Sequence, residues 1–195
     1  THLDTTITSV RGSIVTVDET IFYAFAGGQE SDAGTIGGRP VLQARKDGTE
    51  IFYTLGDGPA LQSGTPVAIA IDWARRYRLM RLHFAAEIVL ELTTRLLPGV
   101  EKIGAHIAPD KSRIDFALDE PISKLLPQLT EQANALIAAD RPIVSAFSDE
   151  AAERRYWEID GFARVACGGT HIRRTGEVGP LRLKRNNIGK GKERI

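Results

Sequence analysis

Apolar residues in the segment 73–97 do not keep to a single stripe. Leu79, Met80, Leu82, Phe84, Ile88, Val89, Leu92 and Leu96 cover much of the circumference of a helix that Pro98-Gly99 would end. A helix apolar around most of its girth is predicted to be central, with other elements packed about it. His83 and Glu87 lie within it four positions apart, so both side chains share one face, one turn apart. An imidazole and a carboxylate on a mostly buried helix need partners, because an unpaired buried charge is costly. A metal ion is one such partner; Arg81 or another basic residue is the ordinary one.

The second feature is Cys167-Gly168-Gly169-Thr170-His171. Cys167 is the only cysteine in the chain, so it belongs to no internal disulfide. It precedes a histidine by four positions, with two glycines that let the backbone turn between them. Together with His83 and Glu87 this supplies one sulfur, two imidazoles and one carboxylate, a workable ligand set for zinc. Each half alone has a plainer reading. A lone cysteine is commonly a small buried hydrophobe, and a His/Glu pair at helical spacing is commonly a surface pair.

Residues 5–71 predict β-structure. Ile7 to Val17 is rich in β-branched residues, Thr20 to Phe25 is expected to continue as strand, and Asp47-Gly48 marks a hairpin between Val41–Lys46 and Ile51–Thr54. The glycines from Gly27 to Gly38 lack the Lys-Ser/Thr of a nucleotide-binding loop and predict tight turns, with Gln29 and Asp32 fixing the loop. Farther on, Lys102–Ile107 and Arg113–Leu118 predict a hairpin, with His106 a structural residue in its first strand. Leu125 to Ile137 predicts a helix with Pro127 near its start. Ile143–Phe147 predicts a strand, Ser148-Asp149-Glu150 a helix N-terminus, and Phe162–Ala166 a strand delivering Cys167. Strands and helices mix without regular βαβ alternation, so the class is α+β. The expected organisation is a glycine-rich, β-barrel-like part over 1–71, packed on an α+β part with the central helix over 72–195.

Composition excludes several classes. No apolar run approaches the eighteen or so residues that span a bilayer. No basic-then-apolar leader opens the chain, and one free cysteine suits a reducing compartment, so a cytoplasmic protein is expected. The 25 basic and 25 acidic residues cancel, but not locally. From Thr170 onward eight Lys or Arg stand against Glu177 and Glu193, a net of +6, so residues 1–169 carry −6. A second basic cluster, Arg75, Arg76, Arg78 and Arg81, runs into His83. Such clusters are ordinarily solvated charge; beside a catalytic site they are also what a phosphate backbone requires.

Cys167 to His171, followed by Thr175-Gly176-Glu177-Val178-Gly179, resembles the signature of the alanyl-tRNA synthetase editing domain and of its free-standing, AlaX-like trans-editing relatives. Agreement extends to Thr20-x-Phe22-Tyr23, to Gly27-Gly28-Gln29-x-x-Asp32-x-Gly34, to Asp72, Arg76 and Met80 leading into His83, and to Pro109-Asp110-Lys111-x-Arg113-x-Asp115-Phe116. The resemblance covers roughly residues 12–195. That family carries His-x-x-x-His on its helix; His83 matches the first histidine, Glu87 replaces the second, and Phe84 stands where threonine is usual. The resemblance implies hydrolysis of mischarged tRNA(Ala), Ser-tRNA(Ala) foremost and Gly-tRNA(Ala) next, a second sieve for errors that a synthetase pocket cannot reject. It implies one zinc ion on His83, Glu87, Cys167 and His171, catalytic roles for Thr20, Gln29 and His83, and tRNA contacts at Arg76, Arg78, Arg173, Arg174 and Lys184. The alternative is a tRNA-binding or regulatory module of the same fold with weakened hydrolysis, suggested by Glu87 and Phe84.

Overall fold

A computed structural model describes all 195 residues, Thr1–Ile195. The chain divides into two compact units, Thr1–Ala26 with Glu30–Tyr77, and Gly27–Gln29 with Arg78–Ile195.

The first unit holds six antiparallel strands: β1 (His2–Arg11), β2 (Ile14–Val17), β3 (Gly34–Ile36), β4 (Arg39–Asp47), β5 (Glu50–Leu55) and β6 (Pro66–Ile71). They close into a barrel in the order β1-β2-β5-β4-β3-β6. Alternation sends Ile7, Val15, Ile36, Tyr53, Leu55 and Ile69 inward, where they form a core with almost no solvent exposure. The β4–β5 hairpin turns on Gly48-Thr49, one position later than the sequence suggested, because Asp47 and Glu50 pair as the last rung. Gly48 takes φ +59°, the left-handed conformation that such a turn demands of its first residue.

Thr20–Phe25 is not a strand. Side chains take up its backbone polar groups instead of a ladder. The Tyr23 N–H donates to Asp32 Oδ2 at 2.7 Å, the Phe22 N–H donates to Thr20 Oγ1 at 3.0 Å, and Arg76 Nη2 donates to the Ile21 carbonyl at 2.7 Å. Arg76 also forms a two-pronged ion pair with the buried Asp32 carboxylate.

In the second unit, helix α1 (Trp73–Leu96, its first five residues belonging to the barrel unit) is buried on several sides. Four consecutive residues, His83 to Ala86, are all inaccessible, which only a helix enclosed nearly all round allows. Strands β7 (Glu101–Ile107) and β8 (Ser112–Ala117) form the expected hairpin, with His106 opposite Arg113. Helix α2 (Leu126–Ala138) has Pro127 in its first turn, where a missing N–H costs nothing. Strands β9 (Val144–Asp149), β10 (Arg154–Ile159) and β11 (Ala163–Ala166) make a three-stranded sheet in the order β11-β10-β9. The cap chemistry read at Ser148–Glu150 exists, since Asp149 Oδ1 accepts the Ala152 N–H at 3.0 Å. It caps a single turn, which Glu153 closes at φ +51° into β10, so no helix forms there. Strands β12 (Asn186–Asn187) and β13 (Lys192–Arg194) then join β8, giving the order β12-β13-β8-β7.

Part of the basic tail is consumed by this sheet. Arg194 pairs with Asp115 through two hydrogen bonds of 2.6 and 2.9 Å, and Arg185 grips the buried Glu193 carboxylate. No helix is long and apolar enough to cross a membrane.

Candidate metal centre

Two stretches of the second unit converge. Helix α1 presents His83 and Glu87 from successive turns, and the backbone leaving β11 presents Cys167 and then His171. His83 Nε2 lies 3.5 Å from Cys167 Sγ and 3.3 Å from Glu87 Oε1; Cys167 Sγ lies 3.4 Å from His171 Nε2 and 3.8 Å from Glu87 Oε1. His83, Cys167 and His171 each offer one ligand atom, all within 4.8 Å of one another, and could hold a metal ion. For ligand bonds of ~2.0–2.3 Å, the edges of a tetrahedral zinc site are about 3.4–3.6 Å. The four separations lie close to that range. The His83–Cys167–His171 group is therefore compatible with the single zinc ion that the resemblance implies, and Glu87 Oε1 lies beside it.

Three of these four side chains are themselves held. Gln29 Oε1 receives the Nδ1 proton of His83 at 2.5 Å and the backbone N–H of Thr170 at 3.2 Å, while its Nε2 donates to Thr170 Oγ1 at 2.9 Å. A backbone N–H can only donate, so the amide orientation is fixed, and with it the proton on His83 Nδ1. Nε2 is thereby directed toward sulfur and carboxylate. Ser145 Oγ lies 3.0 Å from His171 Nδ1, on the side of that ring away from the Nε2 that faces Cys167 Sγ. Trp157 donates its indole N–H to Glu87 Oε2 at 2.8 Å. Phe84 packs edge-to-face on Trp157 at 5.1 Å between centroids and on the His171 ring at 5.8 Å.

Gly169 has a specific task. A Cβ there would lie 1.7 Å from His83 Cε1, whereas one on Gly168 would meet nothing. The first need is close approach of backbone to an imidazole, and it is met without a left-handed φ.

Electrostatics divide the two histidines. Burial would lower the His83 pKa, but hydrogen bonds to Cys167 and Glu87 outweigh it and raise it to about 9. Burial lowers His171 to about 3, reinforced by the positive charge of His83. Burial pushes Glu87 upward, yet the His83 hydrogen bond and charge, with Trp157, bring it below the ordinary carboxylate value. Without a metal, one imidazolium thus sits between sulfur and carboxylate, occupying the place of a cation.

The comparisons with known proteins bear on this constellation. Over 193 residues, 97% of this chain and 88% of the relative, the sequence is 31% identical to alanyl-tRNA editing protein AlaX-M of Pyrococcus horikoshii. It is 32% identical over 212 residues to AlaX-M of Methanosarcina barkeri, covering 86% of that protein. The chain belongs to the alanyl-tRNA editing protein family. The family described as threonyl and alanyl tRNA synthetase second additional domain matches residues 158–195, the stretch that carries Cys167 and His171. The alanine–tRNA ligase of Methanopyrus kandleri is 35% identical over 206 residues, but the match spans only 22% of that enzyme.

The remaining sequence-derived residues of this editing-family chain are placed as follows. Thr20, in the barrel unit, hydrogen-bonds Tyr53 Oη at 2.7 Å besides accepting from Phe22. Arg76 is occupied by Asp32 and Ile21. Arg174 pairs with Asp140 at 2.8 Å, while Arg78, Arg173 and Lys184 are exposed. Lys184 lines a groove with Lys111, Arg113 and Arg182. Ser145 lies in an expected strand and Trp157 in one, β10, that the sequence did not suggest; neither had a further signal, and only the pairing of β9 with β10 brings them to the site.

Proposed function

We propose that this protein hydrolyses the ester of mischarged tRNA(Ala) in the cytoplasm, with serine the principal amino acid removed and glycine the second. One zinc ion held by His83, Glu87, Cys167 and His171 would serve the reaction. The observation that carries the reading is that three of the four side chains converging there, His83, His171 and Glu87, each have a fixing partner of their own, as expected of a built metal site rather than of a chance cluster. The names and extent of similarity of the AlaX-M relatives support the substrate class.

Zinc in such a site supplies Lewis acidity, orienting a substrate amine or lowering the pKa of a bound water toward ~7. The chain's own residues do the rest. Gln29 holds His83 and Thr170 in one hydrogen-bonded unit, so the Cys167–His171 turn and α1 keep a fixed separation. Thr20 is the proposed partner of the serine hydroxyl. Burial raises the Tyr53 phenol to about 12, so it remains a donor; when it donates to Thr20, the threonine proton is released for an outside acceptor. Arg78, Arg173 and Lys184 are the proposed phosphate contacts. Arg76 and Arg174 have carboxylate partners to leave first.

Purified protein incubated with Ser-, Gly- and Ala-tRNA(Ala) tests the proposal. Serine should be released fastest and alanine spared, with activity lost to a chelator and restored by zinc. Release of none of the three, in the presence of zinc, would refute it. Retained tRNA binding would then favour the non-hydrolytic module that Glu87, in place of a histidine, suggests. Binding should weaken steeply with salt as phosphate counterions are released.

A further inference from the structure

The pairing of β9, β10 and β11 sets three side-chain positions in a row across one face. The Cys167 N–H donates to the Arg155 carbonyl at 2.9 Å, extending the β10–β11 ladder to Cys167, and Arg155 pairs with Phe147 across β9–β10. Directly paired residues share a face, and residues two apart along a strand share it as well. Trp157 and Ser145 form the neighbouring pair on this same face, and they hold Glu87 and His171. The face that carries Phe147 is therefore the one that carries the metal centre. Phe147 stands two strand spacings from Cys167, roughly 10 Å.

Phe147 is 49% exposed, large and apolar, at a place where the neighbouring positions of the row are occupied by the site. Its ring is braced by the Arg155 guanidinium 5.6 Å from its centroid, and Arg155 is tied in turn to the Gly169 carbonyl at 3.4 Å. An open aromatic ring backed by a cation is the usual platform for a nucleobase, since every base offers a π-face and the guanidinium adds positive charge for the adjoining phosphate. A terminal aminoacyl-nucleoside carries its ester and its base on opposite sides of one ribose. It would place the ester toward Cys167 and the base toward Phe147.

We infer that Phe147, braced by Arg155, is the subsite on which the terminal adenine of the tRNA stacks, holding the aminoacyl ester at the metal centre. This rests on the deacylase reading above. It adds a base-binding residue that neither the ligand set nor the basic clusters identifies.

The test compares uncharged tRNA(Ala) ending in CCA with the same transcript lacking its terminal adenosine, using wild type, Phe147→Ala and Phe147→Trp. Wild type should bind the CCA-ended RNA more tightly by a factor of about 5–150, the span seen when one stacking side chain is removed. Phe147→Ala should erase that difference while leaving affinity for the shortened RNA unchanged, and Phe147→Trp should keep it. Zinc content should be equal in all three proteins. If Phe147→Ala still distinguishes the two RNAs, or if wild type binds both equally, the inference is overturned and the deacylase reading stands. If wild type binds neither RNA and releases no amino acid, the deacylase reading itself has failed.

Discussion

Trp157 and Glu87 are joined by a hydrogen bond from indole N–H to Oε2 at 2.8 Å, which leaves Oε1 facing His83 and Cys167. One carboxylate oxygen is thus spoken for and the other is presented to the site. Trp157→Phe keeps an aromatic ring against Phe84 but removes the N–H. Loss of such an outer hydrogen bond typically weakens metal binding about 10–100-fold. Chelator competition should show that loss. A cobalt-substituted protein with an unchanged visible spectrum and unchanged affinity would show that the carboxylate needs no indole.

Glu87 itself is tested by replacement in two directions. Glu87→Ala should weaken zinc binding, and Glu87→His should restore it. With thiolate and carboxylate as ligands a zinc site would be formally neutral, whereas a histidine at this position would leave it at +1 and polarise a water or carbonyl more strongly. Glu87→His is therefore expected to turn over faster or at a lower pH optimum. Unchanged zinc affinity in the alanine variant would remove Glu87 from the ligand set.

The metal-free protein should be most stable near pH 6.5. Above that value the raised His83 pKa governs: its stabilising proton is fully bound below 6.5 and is lost as pH climbs through about 9. Below it His171 governs. Held neutral down to about pH 3 in the folded state, it binds its proton more readily when unfolded, so stability declines between 6.5 and 3. Zinc must displace the His83 proton, so its affinity should rise with pH over the very window in which the stripped protein weakens. Thermal melts with and without zinc across pH 5–9 check both slopes.

Thr20→Val should impair release of serine far more than release of glycine, by roughly 1–3 kcal/mol, because only serine brings a hydroxyl to be left unpaired. Equal loss on both substrates would assign the hydroxyl to its contacts with Phe22 and Tyr53 alone.

The two adjacent glycines should behave oppositely. Gly169→Ala forces a methyl into His83 and should disrupt zinc binding, with a stability loss of about 1–3 kcal/mol or more from overpacking. Gly168→Ala should be nearly silent. Metal content of the two purified variants decides it.

What could be read beforehand was what short spacing encodes. Four-residue separations placed His83 beside Glu87 and Cys167 near His171, and continuous apolarity around α1 marked it as enclosed. What could not be read depends on distant pairing. Trp157 reaches Glu87, and Ser145 reaches His171, only because β9 and β10 pair in one register. The strand expected at Thr20–Phe25 fails for a related reason: Asp32 and Arg76 supply hydrogen bonds that a neighbouring strand would otherwise have provided. Local β-propensity contains no notice of such partners.

The assignment of Gly27–Gln29 to the second unit bears on how the molecule can be dissected or inherited. The Ile107 N–H donates to the Gly28 carbonyl at 2.8 Å, and Gln29 is fully buried against His83 and Thr170. A fragment begun at Arg78 would omit three residues, among them the Gln29 that its own imidazole depends on, and a barrel fragment would carry them without their hydrogen-bond partners. The gene therefore offers no clean seam. Recombination that exchanges the barrel must preserve this tripeptide or replace it with an equivalent, so the two units are expected to travel together.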